Sequence, residues 1–123
     1  VNPAETLLFV YGTLKRGGRN HDRLAGQTYV GAARTGPGFI LYSLGDYPGL
    51  VAEPADRGGV AGEVWSVTAS SLAQLDAFEG VGEGLYRREH IPLLPPFADT
   101  PVETYVYARN LAGHPVIGSV WRE

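Results

Sequence analysis

The chain has no cysteine, and that absence alone removes disulfide scaffolds, thiolate nucleophiles and zinc–thiolate centres from its chemistry. It has no methionine either, an initiator included, so the sequence is expected to begin after a processed or trimmed start. No apolar run approaches the roughly 18 residues of a membrane-spanning helix, and the first residues lack the charged-then-apolar order of a secretory signal. A reducing, cytoplasmic setting without a membrane partner is the expectation. An excess of basic residues is also missing: 13 acidic against 10 basic side chains leave a formal net charge of −3. That balance provides no footprint for nucleic acid or an anionic surface and points to a small molecule as partner.

Several catalytic signatures are absent as well. The three histidines, His21, His90 and His114, stand at no metal-ligand spacing, so neither a metal nor another cofactor is expected. No G-x-S-x-G elbow supports a hydrolytic triad. The glycine-rich stretch Tyr11-Gly12-Thr13-Leu14-Lys15-Arg16-Gly17-Gly18-Arg19-Asn20-His21 lacks the spacing of a phosphate-binding P-loop, and no G-x-G-x-x-G opens a βαβ unit.

What the sequence does have is punctuation. Seventeen glycines and nine prolines separate segments of strand rather than helix length. Strands are expected at 7–10, 27–34, 39–44, 50–53, 60–67, 87–94 and 102–108, with turns at Gly36-Pro37-Gly38 and Tyr47-Pro48-Gly49. The sole persuasive helix is Ser71–Glu79, where Ser71 and Gln74 match a capping box and Gly80 supplies a stop. Asn20–Leu24 is a candidate for one helical turn. The class is therefore α+β, about six to seven strands with one main short helix, in a single domain over 1–123.

Two features stand out chemically. On the Ser71–Glu79 helix, Leu72, Leu75 and Phe78 form the apolar stripe, and Glu79 falls within it, four residues after Leu75 and seven after Leu72. An inward carboxylate at a helix C-terminus has a raised pKa and suits general acid–base work; a frayed last turn would instead leave Glu79 in water. Gly12 lets a ligand approach the backbone and lets the amides of Gly12, Thr13 and Leu14 face an anion, or else it simply ends a strand.

Taken together and in order, the loop above, Tyr47-Pro48-Gly49-Leu50-Val51, Gly62-Glu63-Val64-Trp65, and Leu75-Asp76-Ala77-Phe78-Glu79-Gly80 with Leu85-Tyr86-Arg87-Arg88 closely resemble the gamma-glutamylcyclotransferase-like family over nearly the whole chain. The similarity is greatest to its small single-domain branch, which includes gamma-glutamylamine cyclotransferases. The resemblance implies a small β-barrel-like α+β domain and a cyclising acyl transfer. In that reaction the α-amine of a γ-glutamyl group attacks its own γ-carbonyl, giving 5-oxoproline and a free amine. It also implies Glu79 as the general acid/base, the loop Tyr11, Gly12, Thr13 and Leu14 as the substrate cradle, and Tyr47 and Tyr86 as pocket residues, for which core packing is the competing role. Glu83, in the glycine-rich "EGVGEGLYRR", is the other carboxylate near that position; Glu79 is preferred because a helix fixes it. The alternatives are a non-catalytic small-molecule binding domain with the same pocket and a nucleic-acid module using the Lys15–Arg19 turn.

Overall fold

The strand Glu5–Val10 ends in the unbroken apolar run Leu7–Val10, whose last three residues are buried because both faces of the strand are covered there. Leu8 and Val10 enter a core with Trp65, Val67, Leu72 and Leu75, whereas Phe9 and Tyr11 enter a second one with Leu41, Leu50, Val60 and Val64. The structure, a computed structural model, describes residues 5–122. In chain order its elements are β1 (Glu5–Val10), β2 (Thr28–Arg34), β3 (Phe39–Ser43), β4 (Pro48–Ala52), β5 (Ala61–Thr68), α1 (Ala69–Phe78), β6 (Tyr86–His90), β7 (Glu103–Tyr107) and β8 (Val116–Gly118). Single 3-10 turns lie at His21–Leu24 and Val81–Glu83. No described helix is long and apolar enough to cross a membrane.

The strands form one curled sheet in the order β2-β5-β1-β7-β4-β3-β8, with β6 also on β7. β6 occupies one edge of β7 along its whole length, from Tyr86↔Tyr107 to His90↔Glu103. The other edge is divided. β1 meets it in parallel at Leu8↔Glu103 and β4 at Leu50↔Val106. A strand has only two hydrogen-bonding edges, so β1 and β4 must part where they share one. The loop after β1 and the start of β4 flank that opening.

Eight strands exceed the expected six to seven by the three-residue β8, which pairs with β3. Tyr47-Pro48-Gly49 is not a turn: Pro48 and Gly49 begin β4, where a proline in first position forfeits little ladder bonding, and the reversal precedes them, closed by Leu44 N–H to the Tyr47 carbonyl at 2.9 Å. The expected strand 87–94 stops at His90, just before Pro92, which has no N–H to contribute. The capping box at Ser71 also gives way. Thr68 is the N-cap, extended at φ −70° and ψ 160°, and its hydroxyl accepts the Ser71 amide at 3.2 Å. The helix consequently begins at Ala69, and Glu79 is its C-cap. Asn20 precedes the His21–Leu24 turn, but its side chain does not cap it.

Candidate active site

A cavity of about 310 Å³ fills the opening between β1 and β4, and Tyr11, Gly12, Thr13, Leu14, Tyr47, Glu79 and Tyr86 all line it. Arg19, Asn20, Asp46, Pro48, Phe78, Leu85 and Tyr105 complete much of its wall. Among these the sequence singles out Tyr105 alone for a pocket, as one of the tyrosines Tyr42, Tyr47, Tyr86, Tyr105 and Tyr107, which are expected mostly in the core with about two presenting hydroxyls to a pocket. Asn20 had a signal, its position in the basic loop; Asp46 and Tyr105 reach the cavity only through tertiary packing.

The loop after β1 is folded back on itself. The Gly12 carbonyl accepts Lys15 N–H at 3.1 Å, and the Thr13 carbonyl accepts Asn20 N–H at 3.0 Å. His21 Nδ1 donates to the Leu14 carbonyl at 2.9 Å, while Asn20 Nδ2 donates to Thr13 Oγ1 at 3.0 Å. All three carbonyls are thus held by partners within the loop. The amides of Gly12, Thr13 and Leu14 have no acceptor among the described residues. Successive donors of this kind suit a carboxylate or a developing oxyanion. The basic side chains nearby are drawn elsewhere: Lys15 Nζ donates to the Trp121 carbonyl at 2.8 Å, and Arg16 pairs with Glu63 at 3.3 Å while lying over the Tyr29 ring. Arg19 Nη1 stands 3.9 Å from Asp46.

Glu79 is half-buried at the end of α1, its amide bonded to the Leu75 carbonyl at 2.8 Å. Gly80 then turns left-handed (φ 68°), and Leu85 N–H returns to its carbonyl at 3.0 Å. This reversal ends the helix at the cavity wall. Burial raises the Glu79 carboxyl from 4.5 to about 7, against the opposing charge of Arg23. The group can therefore both accept and return a proton near neutrality. Asp76 has a different occupation. It takes Arg88 at 2.9 Å and the Tyr105 hydroxyl at 2.8 Å, and Arg88 also pairs with Glu103. Glu83 is exposed, between the left-handed Gly80 and Gly84.

The phenols at the cavity are mostly committed to the fold. Tyr11 donates to the Tyr105 carbonyl at 2.6 Å and accepts the Leu50 amide at 3.3 Å, so it bridges β7 and β4 where the sheet divides. Tyr86 donates to the Pro48 carbonyl at 2.6 Å. Burial pushes the hydroxyls of Tyr11, Tyr86 and Tyr105 well above the ordinary range, and Glu79 adds to the rise in each. They remain protonated donors. Tyr47 is 38% exposed. Tyr11→Phe should therefore lower unfolding free energy by about 1–3 kcal/mol, because it leaves a buried amide and carbonyl unpaired. Tyr47→Phe should change it by less than about 0.5 kcal/mol. Urea denaturation of the two variants against the parent measures both; equal losses would contradict this division of roles.

Comparison with known proteins gives the family and the fold. The family model described as "Gamma-glutamyl cyclotransferase, AIG2-like" matches residues 8–123. A relative in Vibrio cholerae is 40% identical over 116 residues, covering 92% of this chain and 91% of its own. The gamma-glutamylaminecyclotransferase of Rattus norvegicus is 39% identical over 88 residues, 66% of this chain and 58% of the rat protein. Among solved structures, a protein specific to uropathogenic E. coli superimposes with a TM-score of 0.76 at 31% identity, over 94% of this chain and 91% of its own.

Proposed function

The chain belongs to the gamma-glutamyl cyclotransferase, AIG2-like family of enzymes, and from that premise we propose that it releases 5-oxoproline and a free amine from a small γ-glutamyl amine or peptide, with Glu79 as the general acid/base. The observation that carries this reading is one of position. The residue whose carboxyl is raised to about 7 lines the same cavity as Gly12, Thr13 and Leu14, whose amides have no acceptor among the described residues.

Each group then has a task. The amides of Gly12, Thr13 and Leu14 hold the substrate's α-carboxylate or the oxyanion that grows on the γ-carbonyl. Ionised Glu79 takes a proton from the α-ammonium, whose nitrogen then attacks the γ-carbon and closes a five-membered ring. As the bond from that carbon to the departing nitrogen breaks, Glu79 returns the proton to that departing nitrogen; the attacking nitrogen, still carrying two hydrogens, sheds one as it becomes the ring amide, and the amine takes it up and leaves as an ammonium ion. No water is consumed. Because nucleophile and electrophile belong to one molecule, holding the substrate folded back supplies much of the rate advantage. Tyr11, Tyr86 and Tyr105 act mainly as walls, their protons already given to carbonyls or to Asp76.

The test uses substrate logic. A panel of γ-glutamyl amines and peptides should yield 5-oxoproline, whereas the N-acetylated analogues should yield none, since an amide nitrogen is a poor nucleophile. The β-aspartyl analogue should also be inert, because it would have to close a four-membered ring. Release of the free amine from an N-acetylated substrate would indicate attack by water and defeat the cyclisation.

A further inference from the structure

A second cleft, about 630 Å³, adjoins the first and shares Arg19 and Asn20 with it. Its lining is chemically unlike the first. Gln27, Thr68, Ser70 and Gln74 present amides and hydroxyls, and among the described residues only Ala25 and Leu75 give it apolar lining. A long alkyl chain would find almost no apolar wall there.

Arg23 stands at the boundary. It lines this cleft, yet its guanidinium lies 3.7 Å from the ring centroid of Phe78, which lines the first cavity and precedes Glu79. Its charge acts on Glu79. Arg23 forms no ion pair with a described residue, and the ring face fixes its plane while leaving its donors available.

We propose, resting on the cyclotransferase reading, that this cleft receives the departing amine and that Arg23 binds a carboxylate on the carbon next to the departing nitrogen. The leaving group is then an amino acid or peptide rather than an alkylamine or diamine. The reasoning is geometric. A carboxylate so close to the departing nitrogen stays near the group that protonates that nitrogen, and Arg23, stacked on the residue that precedes Glu79, is a cation beside it, whereas Arg19, which lines both clefts, faces Asp46 at 3.9 Å. Asp22 also lines the cleft and would favour a cationic leaving group, so a diamine substrate is the competitor that the experiment includes.

The experiment compares kcat/KM for γ-glutamylalanine, its C-terminal carboxamide and γ-glutamylputrescine, in the parent, Arg23→Gln and Arg23→Lys, at low and high salt. The parent should prefer the carboxylate over the carboxamide by about fivefold, as befits a solvent-accessible ion pair, and less at high salt. Arg23→Gln should erase that ratio and Arg23→Lys keep part of it. Any effect of Arg23 on Glu79 itself is common to the substrates and cancels in the ratio. An unchanged ratio in Arg23→Gln, or a parent that prefers the carboxamide or the diamine, would overturn the subsite while leaving cyclisation intact. Absence of 5-oxoproline from all three would remove the cyclotransferase reading and the subsite with it.

Discussion

Glu79→Gln is expected to lower turnover by about 10²–10⁴, the usual range for loss of a positioned general acid–base. Glutamine keeps the volume and one oxygen but cannot accept the α-ammonium proton. The parent's rate should rise with pH as Glu79 ionises near 7, and the residual rate of the variant should lack that limb. Glu83→Gln is the control, since Glu83 is exposed beyond the helix stop. Activity retained in Glu79→Gln and lost in Glu83→Gln would move the base into the glycine loop.

The same carboxyl makes an opposite prediction for stability. Its folded pKa is raised from 4.5 to about 7, so the folded state holds the proton more tightly than the unfolded chain. The stability it contributes is complete below 4.5 and is lost as pH rises through about 7. That change is on the order of 3 kcal/mol. Above pH 7 the Gln variant should therefore be the more stable protein by roughly that amount, and below pH 4.5 the two should converge. Other titrating groups are common to both chains and cancel in the difference. A variant that loses activity while gaining stability at high pH separates catalysis from folding; parallel loss of both would mean that Glu79 supports the fold.

Some of this was legible because it depends on neighbours in sequence. β1 is readable from its apolar run, and Glu79 from its phase relative to Leu72 and Leu75, which are buried. The helix start was not, because Thr68 and Ser71 are both competent caps and only the path of β5 decides between them. β8 escaped because three residues carry no period. The tyrosines were the least legible. The sequence reading leaves Tyr47 and Tyr86 between packing and pocket roles and puts Tyr11 in the substrate cradle, whereas the hydroxyls of Tyr11 and Tyr86 are held by partners 94, 39 and 38 residues away. Their hydroxyl chemistry depends on how the sheet divides, which no local pattern encodes.

Gly12 shows the same limit and carries the last prediction. As a sequence feature it offers room for a substrate, which makes Gly12→Val a binding block in a folded domain. The geometry gives the residue another duty. A Cβ on Gly12 would lie 2.7 Å from Pro48 Cγ and 2.9 Å from Cδ, and Gly12 is not among the residues of positive φ. Its need for glycine is therefore close packing rather than backbone conformation. The displaced ring belongs to the residue whose carbonyl anchors Tyr86 at the cavity wall. Gly12→Ala alone should lower stability by about 1–3 kcal/mol through overpacking and also raise KM as that wall shifts; valine should do more of both. Pro48→Ala removes the two ring atoms that the new Cβ would meet. The double variant should accordingly be more stable than the sum of the single changes predicts, a coupling read from a double-mutant cycle. KM should recover with it. Recovery of stability without recovery of KM would show that the substrate itself requires the bare backbone at Gly12, and the packing account of the loop would give way to the simpler one.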